Sequence, residues 1–452
     1  VFWLAIRSLR RRAGAFTATF LSMFLGAAII MAFAAMLDTA NGEGATGPAR
    51  ETLTTMAGVV GGWGLILVVF AVASTLTLSV RQRAAELALL KSAGATPGQL
   101  GRMIVGEAAG LAVPAVLLAI VPAVPLGRGL LGLLHGTGQV PESVGYAFGP
   151  IAVSVGAGVT LVSAVAAALI AVRRAVRAGA TESLRDAATG AERLGRGRAV
   201  FAGVFFLVAL WEVAITVTVM RGKGMDAMAT SGQADIFAAI GLALLAPLIV
   251  RRATGVLAGP VRRFGGVTGD LAVTNMRRRT GQLAAAVTPI ILFTGTAVGT
   301  LFLQATENAA AAAEGLVKDA EQKNIETLNF VVIGMVVLFT AIMLVNTLVA
   351  ATAHRRREFG QVRLAGATPG QVLGMVAIES AVLTVIGVAC GTVASVFTIV
   401  PFGIARRGTP VPDGGVWTYL AVVALAAAIT GATALTASRR VLRTPAVEAV
   451  TA

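Results

Sequence analysis

Two stretches of the chain are copies of one another: Arg83-Ala-Ala-Glu86-Leu-Ala-Leu-Leu-Lys91-Ser-Ala-Gly94-Ala-Thr96-Pro97-Gly98-Gln99 and Arg355-Arg-Arg-Glu358-Phe-Gly-Gln-Val-Arg363-Leu-Ala-Gly366-Ala-Thr368-Pro369-Gly370-Gln371. The core Ala-Gly-Ala-Thr-Pro-Gly-Gln is identical across a displacement of 272 residues. Each copy is a polar island between long apolar runs. Arg83 and Glu86 are three apart, as are Arg355 and Glu358, so each pair can meet on one helix face. Gly94 and Gly366 are natural helix stops. Thr96 then suits an N-cap, with Pro97 at the first helical position and Gln99 at the third, a capping-box pattern. Thr368, Pro369 and Gln371 repeat it. The spacing predicts helix, sharp corner, new helix, twice. A single copy would be an ordinary turn between membrane helices; two matching copies point to a shared role.

The rest of the chain says what kind of protein the elbows belong to. Of its 452 residues 56% are hydrophobic and only 13% charged, against roughly 25% charged in a soluble domain. Apolar runs near the ~20 residues needed to cross a bilayer occur at about 14–37, 56–80, 101–126, 149–172, 200–220, 233–250, 282–303, 327–351, 373–400 and 416–437. The first run is too long for a signal-peptide core and reads as a retained helix. Pro114, Pro122 and Pro125 should bend or end the third run. Polar connections are expected at Asp38 to Thr55, Arg221 to Gly232 and, strongly basic, Arg173 to Arg198 and Arg251 to Arg279. Phe2, Ile6 and Leu9 share a face apart from Arg7, Arg10 and Arg11, as in a helix lying on a membrane surface.

The net charge of +15 is a matter of topology rather than of nucleic acid. With ten spans, 29 of the 37 Lys and Arg fall on the side of the elbows and both termini, and 8 on the other. The positive-inside rule makes the elbow side cytoplasmic.

The duplication extends beyond the elbows. Leu4-Ala-Ile-Arg-Ser-Leu-Arg10-Arg-Arg12-Ala-Gly14 matches Leu271-Ala-Val-Thr-Asn-Met-Arg277-Arg-Arg279-Thr-Gly281. Arg173-Arg-Ala-Val-Arg177 with Glu182 matches Arg439-Arg-Val-Leu-Arg443 with Glu448. The expected fold class is an all-α polytopic membrane protein of ten transmembrane helices: two parallel four-helix repeats, 1–185 and 270–452, with linker and inserted hairpin at 186–269. A parallel repeat implies a pseudo-two-fold axis along the membrane normal.

These residues resemble the FtsX-like permeases, the membrane subunits of MacB/LolCDE/Bce-type ABC systems. The basic run before the first span, the Arg-x-x-Glu and Ala-Gly-Ala elbow after the second, and the Arg-rich exit carry the resemblance over both halves. It implies that Arg83, Glu86, Lys91, Gly94, Thr96, Pro97 and Gln99, with Arg355, Glu358, Arg363, Gly366, Thr368, Pro369 and Gln371, contact a separate ATPase. That partner would act as a dimer and bind ATP and Mg. The ten-span layout is similar to the Bce-type arrangement, but only Asp38–Thr55 and Gln304–Glu326 stand where those permeases carry a large extracytoplasmic domain. Export or extraction of a hydrophobic or amphiphilic compound, a lipid or a peptide is the leading expectation. The alternative is mechanotransmission to a cell-wall hydrolase or sensor kinase. An ion-coupled secondary transporter is disfavoured, because buried charges are few.

No Gly-x-x-x-x-Gly-Lys-Ser/Thr phosphate loop is present, so this chain needs no cofactor and ATP chemistry falls to the partner. His135 and His354, the two histidines, lie on opposite sides in this topology. The single cysteine, Cys390, excludes an intrachain disulfide. Glu212, beside Trp211, is the acid deepest in an expected span, and Asn346 lies in the eighth. Both are intramembrane polar contacts, as packing residues or as sites. Glu107 and Glu379 match across the repeat and should support the elbows. The acidic stretch 304–326 is expected to be a solvated extension of the seventh span.

Overall fold

A computed structural model describes residues 13–60, 84–177, 195–223, 227–315 and 355–451, with scattered positions of 61–83 and 330–352. The described residues are helical, without a strand. They fall into two compact units: residues 1–188 with 318–339, and residues 189–317 with 340–452. The surface helix expected at 2–9 lies outside the described residues, as do most of the spans expected at 56–80 and 327–351. Among the described residues, eight helices are long and apolar enough to cross a membrane.

In the first unit, α1 (Ala13–Ala40) packs against α4 (Pro97–Gly136) and α5 (Pro150–Arg177). Small residues allow the close approach: Ala27, Ala28, Ala119 and Ala123 surround Met31 and Val116. A side chain at Gly156 would begin 2.3 Å from Met31 Cγ. The connection after α1 is not all loop, since α2 (Gly47–Thr55) leads into one π turn at Met56–Val60. The α3 helix (Ala84–Ser92) is the arm of the first elbow. Pro114, Pro122 and Pro125 do not end α4, which runs 40 residues through all three, about 60 Å of helix. Apolar surroundings offer a freed carbonyl no water, so the helix holds its remaining bonds.

Asp38 does more than begin a loop. Its carboxylate accepts from the backbone N–H of Gly149 (3.0 Å), Ile151 (3.2 Å) and Ala152 (2.8 Å), capping α5 from a distant part of the chain. Thr39 adds a reciprocal pair with Ala147, its hydroxyl accepting from the Ala147 N–H and facing the Ala147 carbonyl at 3.2 Å. Nearby, burial pushes the Tyr146 phenol above its usual range, against the opposing pull of Arg128 under its ring.

In the second unit, α8 (Thr280–Ala313) is central, packed by α7 (Ala227–Arg278), α10 (Pro369–Arg407) and α11 (Val416–Leu442). The α6 helix (Arg196–Thr218) lies against α7 and α10, with Val200, Phe201, Leu207 and Trp211 exposed as for lipid contact. The arm of the second elbow is α9 (Arg356–Leu364), and a short α12 (Ala446–Thr451) packs on it. Two Gly-x-x-x-Gly faces draw the centre together. A side chain on Gly387 or Gly391 of α10 would begin 2.5 Å from Ile290 or 2.6 Å from Thr294 of α8.

Several expectations change here. The basic connector expected at Arg251 to Arg279 is helix, a continuation of α7 that turns a corner at Gly266 (φ 53°, ψ −137°). The arginines that made it read as a loop are, Arg279 apart, solvated on the helix, and Arg262 pairs with Asp270 across the corner at 3.0 Å. The connection expected at Arg221 to Gly232 is shorter, because α7 begins at Ala227 and Ser231 is fully buried. Nor is the start of 304–326 a solvated extension: Gln304, Thr306, Glu307, Ala310 and Ala311 are buried on α8. Glu307 is held there by Arg406 of α10 (Nε to Oε2, 2.9 Å), which also clasps Glu314. Two of the acids of this stretch are thus paired with Arg406.

Candidate functional site: the elbows

The two corners share one hydrogen-bond pattern. In the first, Gly94 has φ +94°, and the N–H of Ala95 donates back to the Leu90 carbonyl (2.9 Å). In the second, Gly366 has φ +100°, and the N–H of Ala367 donates to Val362 (3.1 Å). These are glycine-dependent helix stops, since a side chain disfavours that backbone region. The next helix opens with the expected capping box. Thr96 N–H donates to Gln99 Oε1 (2.9 Å) and Gln99 N–H to Thr96 Oγ1 (3.3 Å). The Thr368 and Gln371 bonds are 2.8 and 3.2 Å. Pro97 and Pro369 stand where a missing N–H costs nothing.

Behind the second corner lies a buried ionic cluster. Arg355 Nη1 and Nη2 donate to the two carboxylate oxygens of Glu379, on α10, at 2.5 and 3.0 Å. Asn275 of α7 donates to the same Glu379 at 2.6 Å. Arg279, between α7 and α8, reaches Glu358 at 2.7 Å, while Arg355 Nε is 3.4 Å from that carboxylate. The Arg355 guanidinium lies over the Phe359 ring at 4.7 Å. Burial alone would pull the Arg355 pKa down, but Glu379 and Glu358 outweigh it and raise it. At Arg279 burial wins and lowers it, with Glu358 opposing. Asn275, Arg279, Arg355 and Glu379 line a cavity of about 40 Å³ shared with Gln282, Thr352 and Ser380.

The Arg355–Glu358 contact expected from their spacing is made, but it is secondary. Arg355 is 8% exposed and its main partner is Glu379, and Glu358 is held chiefly by Arg279. The carboxylate read as a support is thus the anchor of the corner. Arg363 fixes the other side, its Nη1 donating to the carbonyls of Leu442 (3.2 Å) and Thr444 (2.8 Å) after α11. Phe359, Val372, Met375, Val376, Ala272 and Ala434 form the apolar core beneath.

Of the corresponding residues in the first elbow, Arg83 lies outside the described residues. Glu86 is placed on α3, with its side chain outside them. Lys91 stands in the last turn of α3, and Glu107 is buried on α4. Exposed at the corners are Ala93 and Gly94 in the first unit, and Ala365 and Gly366 in the second. Glu212 is half-buried on α6; Asn346 lies outside the described residues. A buried acid that sequence reading passed over, Asp235 of α7, is only 2% exposed.

The model of the family described as FtsX-like permease C-terminal matches residues 58–180 and 330–446, more than half of the chain. The chain belongs to the FtsX-like permease family. Each matched segment encloses one elbow, and the segments begin 272 residues apart, the displacement that relates the elbows. No curated protein gives a significant match. Membership makes this chain a multi-pass, permease-type membrane subunit of an ABC system. FtsX-like permeases are generally non-catalytic and typically work with an ABC ATPase.

Proposed function

We propose that the two elbows seat two subunits of a separate ABC ATPase on one copy of this chain, and that hydrolysis there drives export or extraction of a hydrophobic or amphiphilic compound, lipid or peptide. In this reading the chain makes ten spans of the cytoplasmic membrane with both termini inside, and ATP and Mg belong to the partner. One observation carries it. The second corner is no free turn: Arg355, Glu358, Glu379, Arg279 and Asn275 join its arm to α7, α10 and the start of α8. A push on the corner therefore passes through charge-assisted bonds to three long helices. A loop that merely turned the chain would not need a buried guanidinium, which is costly unless fully paired.

The test is ATP turnover by the co-purified ATPase in proteoliposomes. Hydrophobic and amphiphilic candidate compounds should raise it and should appear across the bilayer in an ATP-dependent way. Stimulation without movement of any compound would instead favour mechanotransmission.

A further inference from the structure

Asp235 lies eight residues into α7, in the interior of the second unit. Its carboxyl sits against the Gly-x-x-x-Gly face of α8. A Cβ on Gly299 would stand 2.8 Å from Asp235 Oδ2, and one on Gly295 3.1 Å from Oδ1. The same Gly295 point is 3.4 Å from the Gly391 carbonyl oxygen of α10. The carboxyl thus lies against the glycine face where α8 meets α10, and Asp235 Oδ1 has no hydrogen-bond partner. One turn earlier, α7 is locked to α10 by a double bond: Ser231 Oγ donates to the Thr398 carbonyl (2.8 Å) and Thr398 Oγ1 to the Ser231 carbonyl (2.7 Å).

An ionised carboxylate with an unpartnered oxygen, away from water, is strongly disfavoured. A proton on the carboxyl removes the charge and makes Asp235 a donor. An asparagine would serve the packing without titrating, so the carboxyl brings a chemistry that packing does not ask for. A metal ion fits poorly, because the glycine faces close to contact distance and one carboxylate is a thin ligand set. Among the described residues, no group of three His, Cys, Asp or Glu could hold a metal.

We propose that Asp235 is a proton-binding site: it is held as the neutral acid while α7, α8 and α10 are packed, and gives its proton to water when α8 draws back. Among the described residues, no charge facing it offers another counter-ion. The α8 face presents Gly295 and Gly299, and α10 presents Gly391 and Ala394, with the half-buried Cys390 adjacent in sequence. On α6 the one acid is Glu212, half-buried. Its Arg198 is engaged at the other end with the carbonyls of Leu244 and Ala243. This site does not depend on the elbows or on an ATPase.

Infrared spectroscopy of the purified chain in lipid nanodiscs, with ¹³C-labelled aspartate side chains, tests it without a mutation. At pH 7 a deuterium-sensitive C=O band of a protonated aspartic acid should be present, and Asp235→Asn should remove it. Persistence to pH 7 means about a thousandfold greater proton affinity than a free aspartate titrating near ~3.9. Gly299→Ala, which wedges α8 from the carboxyl, should cut that affinity at least ~tenfold, while Gly203→Ala, with open space around it, should not. Absence of the band from the labelled wild-type chain at pH 7 overturns the proposal. So does its loss on adding sodium at fixed pH, which would make this a metal-cation site. An unchanged titration in Gly299→Ala overturns the link between packing and proton.

Discussion

Arg355 spans 24 residues of sequence to hold Glu379 with two parallel hydrogen bonds, in preference to Glu358 three residues away. Geometry explains the choice. Glu379 stands almost three helical turns into α10, where both carboxylate oxygens can face the guanidinium. Breaking a buried pair by removing one partner leaves an uncompensated charge and costs about 3–5 kcal/mol. Glu379→Ala should therefore lower the thermal stability of the detergent-solubilised chain markedly. Glu358→Gln, at a half-buried position with a neutral isostere, should cost about 1 kcal/mol or less. Melting curves of the two variants side by side check the ranking.

The capping boxes give a smaller and more local effect. Thr368→Ala and Thr96→Ala each leave one helix N-terminus without its side-chain acceptor, which costs about 1 kcal/mol. Hydrogen exchange at the first turns of α10 and α4 should speed up accordingly, with the helix centres unchanged. Equal acceleration along the whole helix would show that the caps act on more than their own turn.

Asp38 should matter more than an ordinary surface cap, because it serves three partly or fully buried N–H groups at the start of α5 at once. Asp38→Ala leaves them unsatisfied, at about 1–3 kcal/mol for the group. Asp38→Asn keeps one acceptor and should recover part of the loss. The check is the denaturant midpoint of both variants.

The Arg406 clasp is sensitive to acid. Its hydrogen bond holds the Glu314 carboxyl below the ordinary value of 4.5. A carboxyl lowered in the fold contributes stability above its unfolded value and loses it as pH falls through the folded one. The clasp should be complete at pH 6 and open only well below pH 4.5. Arg406→Gln should shift the Glu314 titration, followed by NMR of labelled glutamate, up to its ordinary range.

What could be read from the sequence was local. Gly94, Thr96 and Gln99 lie within six residues, so a stop followed by a capping box was visible in both copies and stands in the structure. Pairing between distant residues was not visible. Arg355 has Glu358 as its obvious sequence neighbour, and nothing local says that Glu379 will come closer. Asp38 and α5, or Arg406 and Glu307, are separated by about 100 residues or more. Asp235 was overlooked because an acid near the start of an expected span looks like an interfacial residue; the two glycines that bury it are on another helix. The Arg251–Arg279 connector was misread for the opposite reason, since charge alone does not distinguish a loop from a solvated helix.

Orientation is open to direct chemical test. Cysteines introduced at Lys223 and Arg439, both exposed, should be labelled by an impermeant maleimide from opposite sides of the membrane, Lys223 from outside. Same-side labelling would break the ten-span topology.

The account stands on the elbows as the surface that receives the ATPase. Ala93 and Ala365 are equivalent, exposed and outside the ionic cluster, so Ala93→Glu and Ala365→Glu place an unmatched charge at each corner without opening the fold. Wrong-sign contacts at an interface can cost several kcal/mol, and a bivalent partner loses more when both sites fail together. The decisive measurement is the amount of ATPase that co-purifies with each variant at equal expression. Each single variant should retain less than the parent, and the double variant little or none. A double variant that keeps its ATPase, with normal coupled turnover, would reduce the elbows to turns.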